Sequence, residues 1–206
     1  MHQAKAVCVA RNYPAHAQEM GSPAPTNPVF FIKPAAAICD FSAPISLPKD
    51  RGECHYELEL ACQISKPLKN ATAAEAQAAI GGYHLALDLT LRTLQRDLKA
   101  LGHPWEMAKA WDGSLPLGSK IPFVEIINPQ DCLLELKING ETRQKANTQE
   151  MITPVYELIS QASHWFSLEP GDLVLTGTPA GVGPLQPGDQ LAAYLNCRWE
   201  EKTEVL

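Results

Sequence analysis

The stretch His55-Tyr56-Glu57-Leu58-Glu59-Leu60-Ala61-Cys62 constrains this chain more than any other. Alternation with a period of two marks a β-strand, because successive side chains of an extended chain point to opposite faces. Tyr56, Leu58, Leu60, Cys62 and Ile64 then share one face, and Glu57, Glu59, Ala61 and Gln63 the other. The two glutamates are neighbours on that face, about 6.6 Å apart along the strand. At an effective dielectric near 20, two such charges repel by about 2.5 kcal/mol. A solvated edge strand tolerates this. A partly buried strand needs a positive charge beside the pair, or one carboxyl kept protonated.

The rest of the chain says what that strand packs into. With 206 residues and 45% hydrophobic residues, the sequence suits a single domain, and a domain of this size buries roughly 70% of its unfolded surface. Its 17 prolines fall mainly between apolar runs, which favours strands joined by turns. Strands are expected at residues 5–10, 28–32, 37–41, 44–48, 56–64 and 83–87. Asn139-Gly140, flanked by residues 133–138 and 141–145, predicts a hairpin. Thr72-Ala73-Ala74-Glu75 is a capping box that opens a helix over 73–80, with Gly81-Gly82 as its stop. A short helix is expected over 14–20, with Pro14 in its first turn. Leu87, Leu91, Leu94, Leu98 and Leu101 recur at helical spacing and predict a helix ending at Gly102. Thr153-Pro154 opens another, to about residue 162, with Thr153 as N-cap. Glu169-Pro170-Gly171-Asp172 and Gln186-Pro187-Gly188-Asp189 are turns that lead into strands. The sum is α+β, dominated by β.

Composition excludes several functions. The formal net charge is −6 and no basic run is present, so nucleic acid is not an expected partner. No apolar run approaches the roughly 20 residues that cross a bilayer, and the N-terminus lacks the apolar region of a signal peptide. The six cysteines are scattered without a C-x-x-C pair. They read as buried, reduced thiols of a cytoplasmic protein rather than as a zinc site.

The chemistry gathers around acids. Asp88 stands where strand 83–87 passes into the leucine-striped helix, and Asp88, Arg92 and Gln95 fall at i, i+4 and i+7. A third carboxylate near Glu57 and Glu59 makes an all-oxygen donor set, which favours Mg²⁺, Mn²⁺ or Ca²⁺ over zinc. His16 and Glu19 share one face of the short helix. They read either as a surface pair or as an imidazole oriented by a carboxylate. The glycine-rich loop 176–181 follows an apolar strand and reads either as a tight turn or as a nest of backbone N–H groups for a carboxylate.

These residues stand among others in a familiar order. Arg11-Asn12-Tyr13 is followed by His16 and Glu19, then by Phe31-Ile32-Lys33-Pro34 and the Tyr56–Leu60 strand. Gly82-Tyr83 leads to Asp88-Leu89-Thr90-Leu91-Arg92-Thr93-Leu94-Gln95; Pro104-Trp105 precedes Lys109, Asp112 and Pro116-Leu117-Gly118. Asn139-Gly140, Arg143-Gln144, Asn147-Thr148, Met151 and Thr176-Gly177-Thr178-Pro179-Ala180-Gly181-Val182-Gly183 complete the series. Taken together they resemble the fumarylacetoacetate hydrolase family, in particular its small members of the acylpyruvase and oxaloacetate decarboxylase type.

The resemblance implies a mixed β-roll, usually a homodimer, and a Mg²⁺ or Mn²⁺ ion held by the residues matching Glu57, Glu59 and Asp88. The longer members' N-terminal domain is expected to be absent, since the chain starts almost at its first strand. His16 and Glu19 match a general-base dyad on a lid. Lys109 matches an active-site lysine that binds substrate or donates a proton. Arg92 serves either as a counter-ion of Asp88 or, with Gln95, as a contact for the substrate carboxylate. Thr178 and Gly177 match the substrate-contacting loop, and Lys33 a family lysine. A 2-oxo acid chelating such an ion has a polarised ketone, and reactions passing through an enolate become easier. Acylpyruvate C–C hydrolysis, oxaloacetate decarboxylation and isomerisation or tautomerisation of 2-oxo dicarboxylates all qualify. A non-catalytic metal-binding paralogue is the reading from another class.

Overall fold

The computed structural model of the chain describes residues 4–21, 23 and 25–206. Its first half runs β1 (Ala6–Ala10), α1 (Pro14–Glu19), β2 (Val29–Lys33), β3 (Ile38–Asp40), β4 (Cys54–Tyr56), β5 (Leu58–Ile64), α2 (Ala73–Ala79), β6 (Ile80–Leu87), β7 (Thr90–Leu91) and α3 (Arg92–Ala100). The second half runs α4 (Glu106–Lys109), β8 (Leu115–Leu117), β9 (Ile121–Pro122), β10 (Leu133–Ile138), β11 (Glu141–Asn147), α5 (Val155–Trp165), β12 (Leu173–Leu175), β13 (Gly183–Pro184), β14 (Gln190–Leu195) and β15 (Trp199–Glu204).

The strands form the expected mixed, β-dominated roll. The main sheet has the order β2-β1-β12-β5-β6-β8-β3, with β9 added against β6. Two of its pairings are parallel, β1 with β12 and β3 with β8. A four-stranded sheet, β11-β10-β14-β15, and a three-stranded one, β13-β4-β7, complete the fold. The Asn139-Gly140 hairpin joins β10 to β11, and both residues take the positive φ, 53° and 83°, that its tight turn requires. The Thr72 capping box is formed in both directions: Thr72 N–H donates to Glu75 Oε2 at 2.8 Å, and Glu75 N–H donates to Thr72 Oγ1 at 3.3 Å.

The central strands separate two environments. Leu58, Leu60, Cys62 and Ile64 face the large apolar core. Behind them, Ala6, Cys8, Ala37, Ala61 and Ala86 belong to a smaller cluster of mostly short side chains. That second face also carries Glu59, in line with the alternation of the strand. No described helix is long and apolar enough to cross a membrane.

Several expected elements differ, each for a stated reason. The strand over 56–64 is interrupted at Glu57: Tyr56 pairs with Gly183 in one sheet, and Leu58 with Leu87 in another. Gly81 and Gly82 lie inside β6 rather than ending a helix. A Cβ on Gly82 would stand 2.8 Å from Ile121 O, so glycine permits the approach of β9. The helix expected from Leu87 begins only at Arg92, because Leu87 and Leu91 belong to strands; Leu101 is exposed. The N-cap of α5 is Pro154, with no side-chain cap, in place of Thr153. Residues 44–48 contribute only a bridge from Ile45 to Val205. All six cysteines are free, but Cys197 is exposed and Cys39 half-buried. Trp165, the last residue of α5, is 75% exposed.

Candidate active site

Sheet register brings the acids together. Leu58 is opposite Leu87 and Glu59 is opposite Ala86. Continuing that ladder by one residue sets Glu57 across from Asp88, and Asp88 N–H donates to Glu57 O at 2.8 Å. A cross-strand pair and the residue two positions along therefore project to one side. Oxygen atoms from Glu57, Glu59 and Asp88 all lie within 4.8 Å of one another, and all three side chains are buried.

Three cations meet these acids. Lys109, at the end of α4, donates to Glu57 Oε2 at 2.7 Å and to Asp88 Oδ2 at 2.6 Å. Arg92 pairs with Glu57 Oε1 and donates to Gln95 Oε1 at 2.8 Å. Lys33, fully buried, lies 2.9 Å from Asp88 Oδ1. The hydrogen bonds of its ammonium go to Ser114 O at 2.9 Å, Ser114 Oγ at 3.0 Å, Leu89 O at 3.4 Å and the carbonyl of Lys109. Its contact with Asp88 is therefore chiefly electrostatic. Arg92 is the counter-ion of Glu57 rather than of Asp88.

The acids respond differently to this setting. Burial alone raises a carboxyl's pKa. For Glu57 the fields of Lys109, Arg92 and, more weakly, His16 outweigh burial and hold it below the ordinary carboxylate range. Glu59 is pushed well up, first by burial and then by Asp88 and Glu57; the Gly177 amide and Lys109 oppose the shift without cancelling it. Burial lowers Lys109, but Asp88 and Glu57 outweigh it and raise it above the ordinary lysine value.

The loop 176–181 closes the other side. Gly177, at φ 93°, donates its N–H to Glu59 Oε2 at 2.6 Å. A Cβ there would stand 2.8 Å from Asn12 Cβ. The nest expected for a substrate carboxylate thus gives this amide to the protein's own glutamate. Thr178 Oγ1 accepts a bond of 2.8 Å from Gln144 Nε2 and faces the cleft. His16 is also buried in the cleft wall, with Nδ1 3.1 Å from Glu19 Oε2, and Gly181 N–H donates to Glu19 Oε1 at 3.0 Å. His16 is therefore part of the cleft wall, and Glu19, which is exposed, ties it to the glycine-rich loop.

One cleft collects these groups. Glu57, Glu59, Asp88, Arg92, Gln95, Lys109, His16 and Thr178 all line it. Arg11, Phe31, Lys99 and Trp105 line it too; the first two and Trp105 stand in the motifs of the resemblance without an assigned role, and Lys99 was not singled out from sequence. Lys99 follows Arg92 and Gln95 by seven and four residues on α3, and that spacing was the available signal. The acid cluster fits a hard divalent cation: every donor is a carboxylate oxygen, and the mutual repulsion that raises Glu59 is what such an ion relieves.

Comparison with known proteins agrees with this geometry. The family model described as fumarylacetoacetate (FAA) hydrolase C-terminal matches residues 5–202. The chain is 50% identical over 188 residues to oxaloacetate tautomerase YcgM of Escherichia coli (strain K12), covering 91% of this chain and 86% of that protein. A crystal structure of a putative fumarylacetoacetate hydrolase family protein from Yersinia pestis CO92 is 52% identical, with a TM-score of 0.96 over 98% of this chain and 93% of that one. Fumarylpyruvate hydrolase from Pseudomonas aeruginosa, solved in complex with Mn²⁺ and pyruvate, is 36% identical, with a TM-score of 0.93 over 98% and 89% of the two chains. Fold, acid cluster and end-to-end match agree: this chain belongs to the fumarylacetoacetate hydrolase family.

Proposed function

We propose that the chain is a divalent-metal-dependent enzyme of small 2-oxo acids, and that it interconverts the keto and enol forms of oxaloacetate. The observation that carries the reading is the set of three buried carboxylates on the floor of a cleft whose walls hold His16 and Lys109. The relative named oxaloacetate tautomerase supports the choice of reaction. Mg²⁺ or Mn²⁺ held by Glu57, Glu59 and Asp88 would polarise the ketone of a chelating 2-oxo acid and acidify the neighbouring C–H.

The chain's own residues do the rest. His16, oriented through Nδ1 by Glu19, takes the proton from the carbon beside the ketone and returns it in the reverse direction. Lys109, at the end of α4 and bonded to Glu57 and Asp88, binds the substrate oxygen or donates a proton to it. Arg92 and Gln95 hold each other and the Glu57 side of the site. Thr178, fixed by Gln144, offers its hydroxyl to the substrate. Tautomerisation needs only this proton traffic. C–C hydrolysis of an acylpyruvate needs an activated water in addition, and the relative named fumarylpyruvate hydrolase keeps that second reading open.

The test follows oxaloacetate by ultraviolet absorbance with Mg²⁺ or Mn²⁺, with EDTA, and with Glu57→Ala, while CO₂ release is monitored. The expected result is a metal-dependent change in the enol band without CO₂, abolished in the variant. Turnover that survives EDTA and Glu57→Ala would falsify the reading.

A further inference from the structure

The inner cations of the cleft are already engaged: Lys109, Arg92 and Lys33 each meet Glu57 or Asp88. Two other cations line the same cleft, Arg11 and Lys99, and neither has a carboxylate partner among the described residues. The Lys99 ammonium lies over the Trp105 ring, 5.6 Å from its centroid. Trp105 and Phe31 stand with ring centroids 6.4 Å apart, and Lys109 lies 5.1 Å from the Phe31 centroid. Lys109, Phe31, Trp105 and Lys99 therefore form a continuous wall from the acids outward.

Arg11 lines the same cleft under constraint. Its φ is 58°, a region that non-glycine residues seldom occupy. The next residue holds it there. Asn12 donates through Nδ2 to Thr176 O at 2.9 Å and Thr153 O at 3.0 Å, while its Oδ1 accepts from Thr153 N–H and its carbonyl from Ile152 N–H, both at 2.8 Å. A strained backbone fixed this firmly places the side chain at the end of β1, in the cleft. Burial first, and then the positive charges of Arg11, Arg92 and Lys109, lower the pKa of Lys99.

We propose that Arg11 and Lys99 form a carboxylate subsite at the cleft mouth, which selects 2-oxo acids carrying a second, distal carboxylate. The aromatic wall of Phe31 and Trp105 bounds the apolar carbons between the two ends. This inference rests on the proposed function for the reacting end and adds the specificity of the other end.

The experiment compares oxaloacetate with its 4-methyl ester, which keeps the 2-oxo acid but neutralises the distal group. The ratio of their kcat/KM values is measured for wild type, Lys99→Met, Arg11→Asn and Lys99→Arg. Asparagine is chosen at position 11 because it tolerates a positive φ. Wild type is expected to favour the diacid at least tenfold. Lys99→Met and Arg11→Asn are each expected to lower that ratio about tenfold, and Lys99→Arg to retain it. Calorimetry of the Mn²⁺-loaded protein with malate, which has no ketone to enolise, and with malate 4-methyl ester should give the same order. A binding preference without turnover removes the tautomerase reading and leaves the subsite standing. No preference for the diacid in wild type, or equal losses for acid and ester in the variants, overturns the subsite whatever reaction is found.

Discussion

Replacing Lys109 with methionine tests the electrostatic core of the site. The ammonium is buried and bonds Glu57 at 2.7 Å and Asp88 at 2.6 Å. Methionine fills much of the same space but leaves two buried carboxylates facing each other with less compensation. Breaking a buried pair from one side costs about 3–5 kcal/mol. For a chain of this length each kcal/mol moves the midpoint by roughly 2–4 °C, so the metal-free variant should melt roughly 6–20 °C below wild type. The sign with pH is fixed by the raised pKa of Lys109, caused by Asp88 and Glu57 against the opposing effect of burial. A raised lysine contributes fully below its unfolded value of about 10.4 and loses that contribution only as pH rises through the folded value, so the deficit should be constant between pH 7 and 9. Divalent metal should repair it: with the ammonium gone, Mn²⁺ meets a more negative site. Saturation at a hundred times Kd gives about 2.7 kcal/mol in any protein, and the variant should reach that level at lower metal than wild type. Adding Glu57→Gln to Lys109→Met removes one of the stranded charges and should restore part of the loss, a non-additive result. The assay is thermal unfolding after EDTA dialysis, with and without Mn²⁺. A melting temperature within 2 °C of wild type, or a double variant whose losses simply add, would refute the reasoning.

Glu59→Gln keeps the shape and the acceptor for the Gly177 amide but removes one metal donor. Its Mn²⁺-induced thermal shift should disappear, and an undiminished shift would exclude Glu59 as a ligand. Gly181→Ala places a Cβ 2.1 Å from Arg143 O at a φ of 98°, whereas Gly188→Ala, at φ 90°, meets nothing within 4 Å. In urea titrations the first should lose at least about 2 kcal/mol more than the second, whose loss of about 1 kcal/mol reflects backbone conformation alone; equal losses would contradict the close contact. His84 is held below the ordinary histidine pKa, first by burial and then by Lys120, against a favourable bond to Gly118 O. Below about pH 6.5 the unfolded chain then takes up a proton that the folded one resists, so stability falls as pH drops. His84→Gln should flatten that slope between pH 7 and 5, and an unchanged slope would locate the acid sensitivity elsewhere.

How much of this was legible in the sequence depended on the range of the interaction. The alternation at Glu57 and Glu59, the Thr72 capping box and the Asn139-Gly140 hairpin are local patterns, and they appear as read. The interruption at Glu57 was invisible because it comes from two distant partners, Gly183 and Leu87, drawing adjacent residues into different sheets. The leucine run from 87 to 101 misled for a similar reason: strand and helix both place residues at compatible spacings, and tertiary pairing decided where one became the other. The acids themselves were found, because repulsion on one strand face demands an explanation. Their cations were harder. Lys109 lies 52 residues from Glu57 and 21 from Asp88, and no periodicity connects them. The resemblance named Lys109, Lys33 and Arg92, but their assignment among the acids emerged only from the fold. Gly177 shows the converse: its loop was recognised as a donor of N–H groups, yet one donor is spent on Glu59.

Under the proposed function, charge balance links the ion to the shape of the substrate. Glu57, Glu59 and Asp88 are matched in number by Lys109, Arg92 and Lys33, and Arg11 and Lys99 add further positive charge to the same cleft. A divalent cation in that buried setting brings two charges that the protein does not cancel. A 2-oxo diacid offsets more of that positive charge than a 2-oxo monoacid does. Because an uncompensated charge away from water is costly, the diacid is favoured over the monoacid. Metal and diacid should therefore strengthen each other's binding by equal factors, as linkage requires of any two ligands sharing one site. Lys109 bonds both Glu57 and Asp88, so the acids already share one buried cation. The same arrangement that makes the acids tolerable in a core thus makes them responsive to an ion, and makes the ion responsive to a doubly charged ligand.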